Sequence, residues 1–216
     1  MLLIVSGLTA TAPDTLAQMS PSDFETPEFY ANWGLDPIRA QYAWSQGFTG
    51  TGVRMAIVDS PIQLSHPEFA GRVWGEIPSN QFPVPGVPIP FHGTHVMGLA
   101  GAARNGVGMM GSAFDAELVG VVNGELNTAG YYGITNWGPA VVVSGASVMN
   151  GSFVSQAQPQ RVVNNALNPN WVIVDYLAVR LELVDAYFDN IDFMAKSDVV
   201  MVFSAGNDRA LRNTSG

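Results

Sequence analysis

The chain has 216 residues, 47% hydrophobic and 12% charged, with a formal net charge of −9 and a single lysine, Lys196. That length and apolar content suit one well-buried domain, and the acidic balance leaves no basic surface for nucleic acid or an anionic membrane face. Cysteine is absent, which excludes disulfides and thiol catalysis.

Residues 1–18, MLLIVSGLTATAPDTLAQ, pass from a short apolar run to small residues and read as a partial signal-like leader. The positive segment that opens a secretory signal is lacking, since the first basic residue is Arg39. No run reaches the ~18 apolar residues of a membrane-spanning helix, so no stable membrane insertion is expected. Residues 19–32 are polar and Pro-containing and predict an irregular lead-in. In DPIRAQYAWSQG (36–47) an Asp-Pro start, a Gly stop and helical spacing at Ile38, Tyr42 and Ala43 predict a helix. VRMAIVD (53–59) is a short apolar run ending on Asp59, which suits a buried parallel strand. Residues 71–91 are rich in Pro and Gly and predict a surface loop.

FHGTHVMGLAG (91–101) reads as a buried helix, and AELVGVV (116–122) and VVMVF (199–203) as further strands. Residues 172–196 predict the clearest helix, with Leu177, Leu181, Val184, Phe188, Ile191 and Ala195 on one face. Glu182, Asp185, Asp189 and Asp192 line another face, read as solvated. Strands alternating with helices argue an α/β fold with a mostly parallel sheet and ligands at the strands' carboxyl ends.

Two of the three histidines, His92 and His95, sit three apart in HGTH. As a metal pair they are too few, and the spacing is not the i,i+4 of a zinc protease helix. Asp59 ends a hydrophobic strand, where a carboxylate is costly unless it is partnered. A histidine at a nearby helix start would be that partner. The carboxylate would then hold the imidazole tautomer and the imidazole would act as general base. Downstream, VVMVFSAGND is a strand breaking into a turn from which Asn207 can aim its amide at a developing oxyanion.

VRMAIVDSPIQLSHPEF, HGTHVMGLAG and VVMVFSAGND together resemble, in order, the Asp, His and oxyanion-Asn blocks of the subtilisin-like serine proteases (peptidase S8). The resemblance covers residues 33–216. It implies a subtilisin-like three-layer fold, C-terminally incomplete, and an endopeptidase acting on polypeptide substrate. By position it implies Asp59 as the carboxylate that orients His92, His92 as general base and then acid, and Asn207 as oxyanion donor. It further implies that His95 packs on the inner face of its helix. VMNGSF resembles the segment that pairs with substrate as an extra strand, so Ser152 and Phe153 would border the peptide groove. Ala205 and Gly206 would wall the pocket for the residue before the scissile bond.

Three departures matter. Pro61 stands where the family has Gly, so the turn after Asp59 must differ. The span from Ser152 to Asn207 is long, with an insertion within 155–175. The nucleophile block is absent: Ser215 in RALRNTSG lies only eight residues beyond Asn207 and precedes no helix. The chain is therefore expected to be a truncated protease domain, inactive alone. The alternatives are a pseudoprotease that binds peptides in the same groove and an unrelated nucleotide-binding α/β domain. For the latter, GLAGAARNG makes a poor phosphate loop, with neither Lys nor a preceding strand.

No cofactor is expected, apart from a structural calcium suggested by ARNGVGMMG (103–111), which resembles a family loop that holds the ion. Asn105 and Glu68 fall at matching places, and Phe29 falls where the N-terminal contributor should be. Only about fifteen residues separate TLAQ from the domain, which is similar to the passenger proteases of bacterial autotransporters. Location is accordingly expected to be secreted or cell envelope.

Overall fold

The computed structural model describes residues 19–77, 91–122, 137–152 and 187–204. Five strands form one parallel sheet in the order β2-β3-β1-β4-β5. They are β1 (Arg54–Asp59), β2 (Val73–Ile77), β3 (Glu117–Val122), β4 (Val148–Gly151) and β5 (Val200–Phe203). β1 lies at the centre because both of its faces are apolar. Ala56 and Val58 pack into one core with Val119, Val121, Met149, Trp137, Val141 and Met194. Met55 and Ile57 point the other way, into a second core with Leu118, Phe69, Val96 and Met97. Side chains that alternate between two buried faces need a layer on each, and burying each aliphatic one is worth about 1.5–3 kcal/mol.

Those layers are helices. α3 (Phe91–Gly101) covers the second core, and α4 (Trp137–Val143) with α5 (residues 187–195) covers the first. α3 has no apolar stripe. It seats on the sheet through Gly93, Val96, Met97 and Gly101. A Cβ at Gly101 would stand 2.6 Å from Leu118 Cδ2, so glycine there lets the helix end lie against β3 without displacing that side chain. Asn190 of α5 is buried, and its Oδ1 accepts the Gly138 N–H at 2.5 Å, which caps the first turn of α4.

The lead-in is folded rather than irregular. Pro21–Phe24 forms a 3-10 turn, and α1 (Pro27–Ala31) starts with Thr26 accepting the Phe29 N–H and Pro27 in the first turn. Phe24 and Phe29 pack with Leu35, Trp44, Met110 and Phe114 into a third core. Trp44 makes edge-on ring contacts with Phe29 and Phe114.

α2 (Ala40–Trp44) is shorter than 36–47, because Arg39 takes a left-handed conformation (φ 56°) that interrupts the helix. Its inner face is Ala40, Gln41 and Trp44, while Ile38, Tyr42 and Ala43 face solvent. β2 lies inside the segment expected to be a loop. Its run is broken by Gly75 and Glu76 and carries a register shift against β3, which hides the strand from pattern reading. α5 also turns a different face inward: Asn190 and Met194 are buried, and Phe188 and Ala195 are exposed. Asp189 and Asp192 are solvated, as expected; residues 172–186 lie outside the described residues.

Candidate active site

Every strand ends on the same edge of the sheet, and there β1 brings Asp59 to the start of α3. Asp59 is 4% exposed. Its Oδ1 accepts the Ser60 N–H at 2.7 Å and faces His92 Nδ1 at 2.7 Å. A carboxylate can only accept, so Nδ1 carries the proton and Nε2 is left with a free lone pair. The His92 side chain is 61% exposed, which leaves Nε2 open to a reactant. One nitrogen held by a buried acid and the other open to solvent is what a general base requires. Asp59 Oδ2 is buried with no hydrogen-bond partner among the described residues.

The turn that follows Asp59 is sewn to α3. Ser60 Oγ accepts the Gly93 N–H at 2.9 Å, and Thr94 Oγ1 accepts the Gln63 N–H at 2.9 Å. The first of these satisfies a first-turn donor that the helix itself cannot, and the second uses a helix side chain to hold the turn. A Cβ on Gly93 would fall 2.2 Å from the Ser60 carbonyl oxygen. Gly93 is thus the residue that lets His92 come within reach of Asp59. From the sheet side, Glu76 of β2 accepts the Ile62 N–H at 2.9 Å.

Burial pushes the Glu76 carboxyl above the usual carboxylate range, and the Ile62 hydrogen bond partly offsets this. The folded protein therefore keeps this proton to higher pH than the unfolded chain. Its contribution to stability is fully present below the unfolded pKa and is lost as pH rises through the folded one. Glu76→Gln keeps an acceptor for Ile62 and removes the buried charge. It should raise Tm at pH 8 and converge on wild type near pH ~4, where even an ordinary glutamate is mostly protonated. Thermal unfolding at the two pH values checks this; an equal shift at both would contradict it.

His95 does not pack inward. It is exposed, because α3 must turn Gly93, Val96 and Met97 to the sheet, and His95 then lies on the outward side with His92. Ser152 follows β4 directly and its Oγ accepts from Asn150 Nδ2 at 3.1 Å. Residues 148–151 are themselves an inner strand, flanked by β1 and β5, so a peptide could pair only beyond them. Phe153, Ala205, Gly206 and Asn207 lie outside the described residues. The chain leading to the last three leaves β5 at Ser204, whose N–H donates to the Gly151 carbonyl at 3.2 Å. β5 itself ends at the carboxyl edge that holds Asp59.

The loop after α3 draws in two buried carboxylates. Glu28 Oε2 accepts the Asn105 and Gly106 N–H groups at 3.2 and 2.7 Å, and Glu68 Oε2 accepts from Asn105 Nδ2 at 3.2 Å. Asn105 Oδ1 in turn accepts the Val107 N–H. The N-terminal side chain at this loop is Glu28; Phe29 is in the core. Sequence reading missed Glu28 by one position, and its place beside the aromatic Phe29 gave no sign of it. Calcium takes about 6–8 oxygen ligands, whereas here the loop turns N–H groups toward the carboxylate. As arranged, these residues do not fit a calcium cage.

A family model described as the subtilase family, Peptidase S8, matches residues 50–216. The chain belongs to the subtilase family. Over 138 residues it is 37% identical to an extracellular serine protease of Serratia marcescens, a match covering 62% of this chain and 12% of that protein. Over 189 residues it is 31% identical to subtilisin E of Bacillus subtilis strain 168, covering 85% of this chain and 42% of the relative. The match thus spans less than half of the length of each of these relatives. Among solved structures, fervidolysin from Fervidobacterium pennivorans, a keratinolytic enzyme related to subtilisin, superposes with a TM-score of 0.53. That match has 24% identity and covers 82% of this chain and 25% of fervidolysin. It concerns the fold, an α/β architecture around a parallel sheet.

Proposed function

We propose that this subtilase chain supplies the acid–base half of a serine endopeptidase, with the nucleophilic serine contributed by sequence outside these 216 residues. The observation that carries the reading is the 2.7 Å contact between buried Asp59 and accessible His92 at the carboxyl edge of the sheet. In the proposed cycle His92 Nε2 takes the serine proton as the hydroxyl attacks the peptide carbonyl. Asp59 keeps Nδ1–H in place and stabilises the imidazolium. His92 then returns the proton to the leaving amine. Asn207 donates to the oxyanion, Ser152 and Phe153 line up the peptide, and Ala205 and Gly206 wall the pocket before the scissile bond. No metal or other cofactor takes part in any step.

Secretion or a cell-envelope location is the matching proposal for place, supported by relatives named as extracellular proteases. No helix among the described residues is long and apolar enough to cross a membrane. The purified 216-residue chain is expected to leave casein intact. The same chain extended through its native reading frame to a Gly-Thr-Ser-x-Ala block should cleave it. Cleavage by the 216 residues alone, abolished by a serine-directed inhibitor, would overturn the division of labour. An extended chain that binds casein without cutting it would favour a peptide-binding pseudoprotease.

A further inference from the structure

Glu76 is a buried carboxylate with no part in the proposed cycle. It is 7% exposed and sits on β2, two strands from β1. Its register partner on β3 is Gly120. A Cβ at Gly120 would lie 3.1 Å from Glu76 Cγ, 3.3 Å from its Oε1 and 3.2 Å from Ile62 Cδ1. The absent side chain opens a gap over β3, and Glu76 crosses it to accept the Ile62 N–H at 2.9 Å. Ile62 is three residues beyond Asp59, in the turn that Ser60 and Thr94 tie to α3. Pro61, between them, has no N–H with which to anchor the turn.

We propose that Glu76 is a positioning residue, which reaches across β3 at Gly120 to fix the turn carrying Asp59 and thereby the Asp59–His92 hydrogen bond. A buried carboxylate is costly to keep, and an aliphatic residue would fill the same space without that cost. What an aliphatic residue lacks is the acceptor for Ile62. Two bonds tie the turn to α3, and among the described residues the Glu76 bond is the side-chain bond that ties it to a neighbouring strand. With all three in place, Asp59 and His92 are registered against a common frame. The inference rests on Asp59 and His92 acting as a pair, and the test separates the two claims.

The test reads the tautomer of His92 by ¹⁵N NMR of the imidazole rings in the purified protein at pH 8, with His66 and His95 as internal references. Wild type should show His92 with a protonated Nδ1, and Asp59→Asn should move it toward the mixture of free imidazole. Glu76→Gln keeps the acceptor and should match wild type. Glu76→Leu, which fills the space but removes the acceptor, should move His92 by at least a third of the Asp59→Asn displacement and leave the other two rings unmoved. Spectra are compared only for variants that unfold cooperatively. A His92 signal unchanged in Glu76→Leu overturns the positioning role, whatever happens to Tm, as does equal movement of all three rings. No response to Asp59→Asn would overturn the pairing itself.

Discussion

His92→Ala, placed in a domain that joins this chain to its nucleophile, should lower kcat about a millionfold and change KM little. The reason is geometric. His92 Nδ1 is fixed on Asp59 at 2.7 Å and the ring is 61% exposed, so Nε2 is available as a base to an incoming hydroxyl. Without it the serine stays protonated and weakly nucleophilic. Removing the corresponding histidine of subtilisin costs about 2 × 10⁶ in kcat, and a family member should lose a similar factor. Asp59→Ala should cost less, about 10⁴ by the same comparison, because the base survives and only its orientation is lost. The double variant should be no worse than His92→Ala alone, since the two act as one unit. Kinetics on a chromogenic peptide would decide. A His92→Ala loss below a hundredfold would remove His92 from the chemistry.

The second large effect is on stability. Gly93→Ala puts a Cβ 2.2 Å from the Ser60 carbonyl oxygen. That oxygen is backbone, fixed by β1 on one side and by the α3 contacts on the other, so the helix must move away. Overpacking costs about 1–3 kcal/mol and more where backbone has to shift. A loss of about 3 kcal/mol or more is expected, a fall of roughly 6–12 °C in Tm for a domain of this size. Gly98→Ala on the same helix is the control. Nothing lies within 4 Å of its added Cβ, and alanine in a helix interior gains about 0.5–1 kcal/mol over glycine. Opposite signs at two glycines five residues apart would identify the close approach, rather than helix propensity, as the cause. Equal effects would contradict it.

The Asp59–His92 contact was legible in the sequence for a physical reason. An aspartate ending an apolar strand has to find a partner, and HGTH offered one. β1, β3 and β5 were legible because they are short apolar runs. β2 was not, since an edge strand interrupted by Gly75 and Glu76 has neither an alternating nor a continuous apolar pattern. The inner faces of α2, α3 and α5 were misjudged in part because small and polar residues share them with the apolar ones: Gln41 on α2, Gly93 and Gly101 on α3, and Asn190 on α5. α3 seats on glycines, which turns His95 outward; α5 seats on Met194 and on Asn190, which spends its amide on α4. The lead-in looked irregular because its two aromatic anchors, Phe24 and Phe29, are set among Ser, Pro and acidic residues. Glu28, Glu76 and Gly120 carry no motif. Their places follow only from which strands and loops the fold sets side by side.

The central claim is that Asp59 and His92 activate a serine. It is tested most directly by labelling the native full-length protein with a biotinylated fluorophosphonate and locating the adduct by mass spectrometry. One labelled serine is expected, outside these 216 residues, modified rapidly in wild type and at background rate in His92→Ala. Rapid labelling that survives His92→Ala, or a native protein that cleaves peptides yet takes no label, would contradict it.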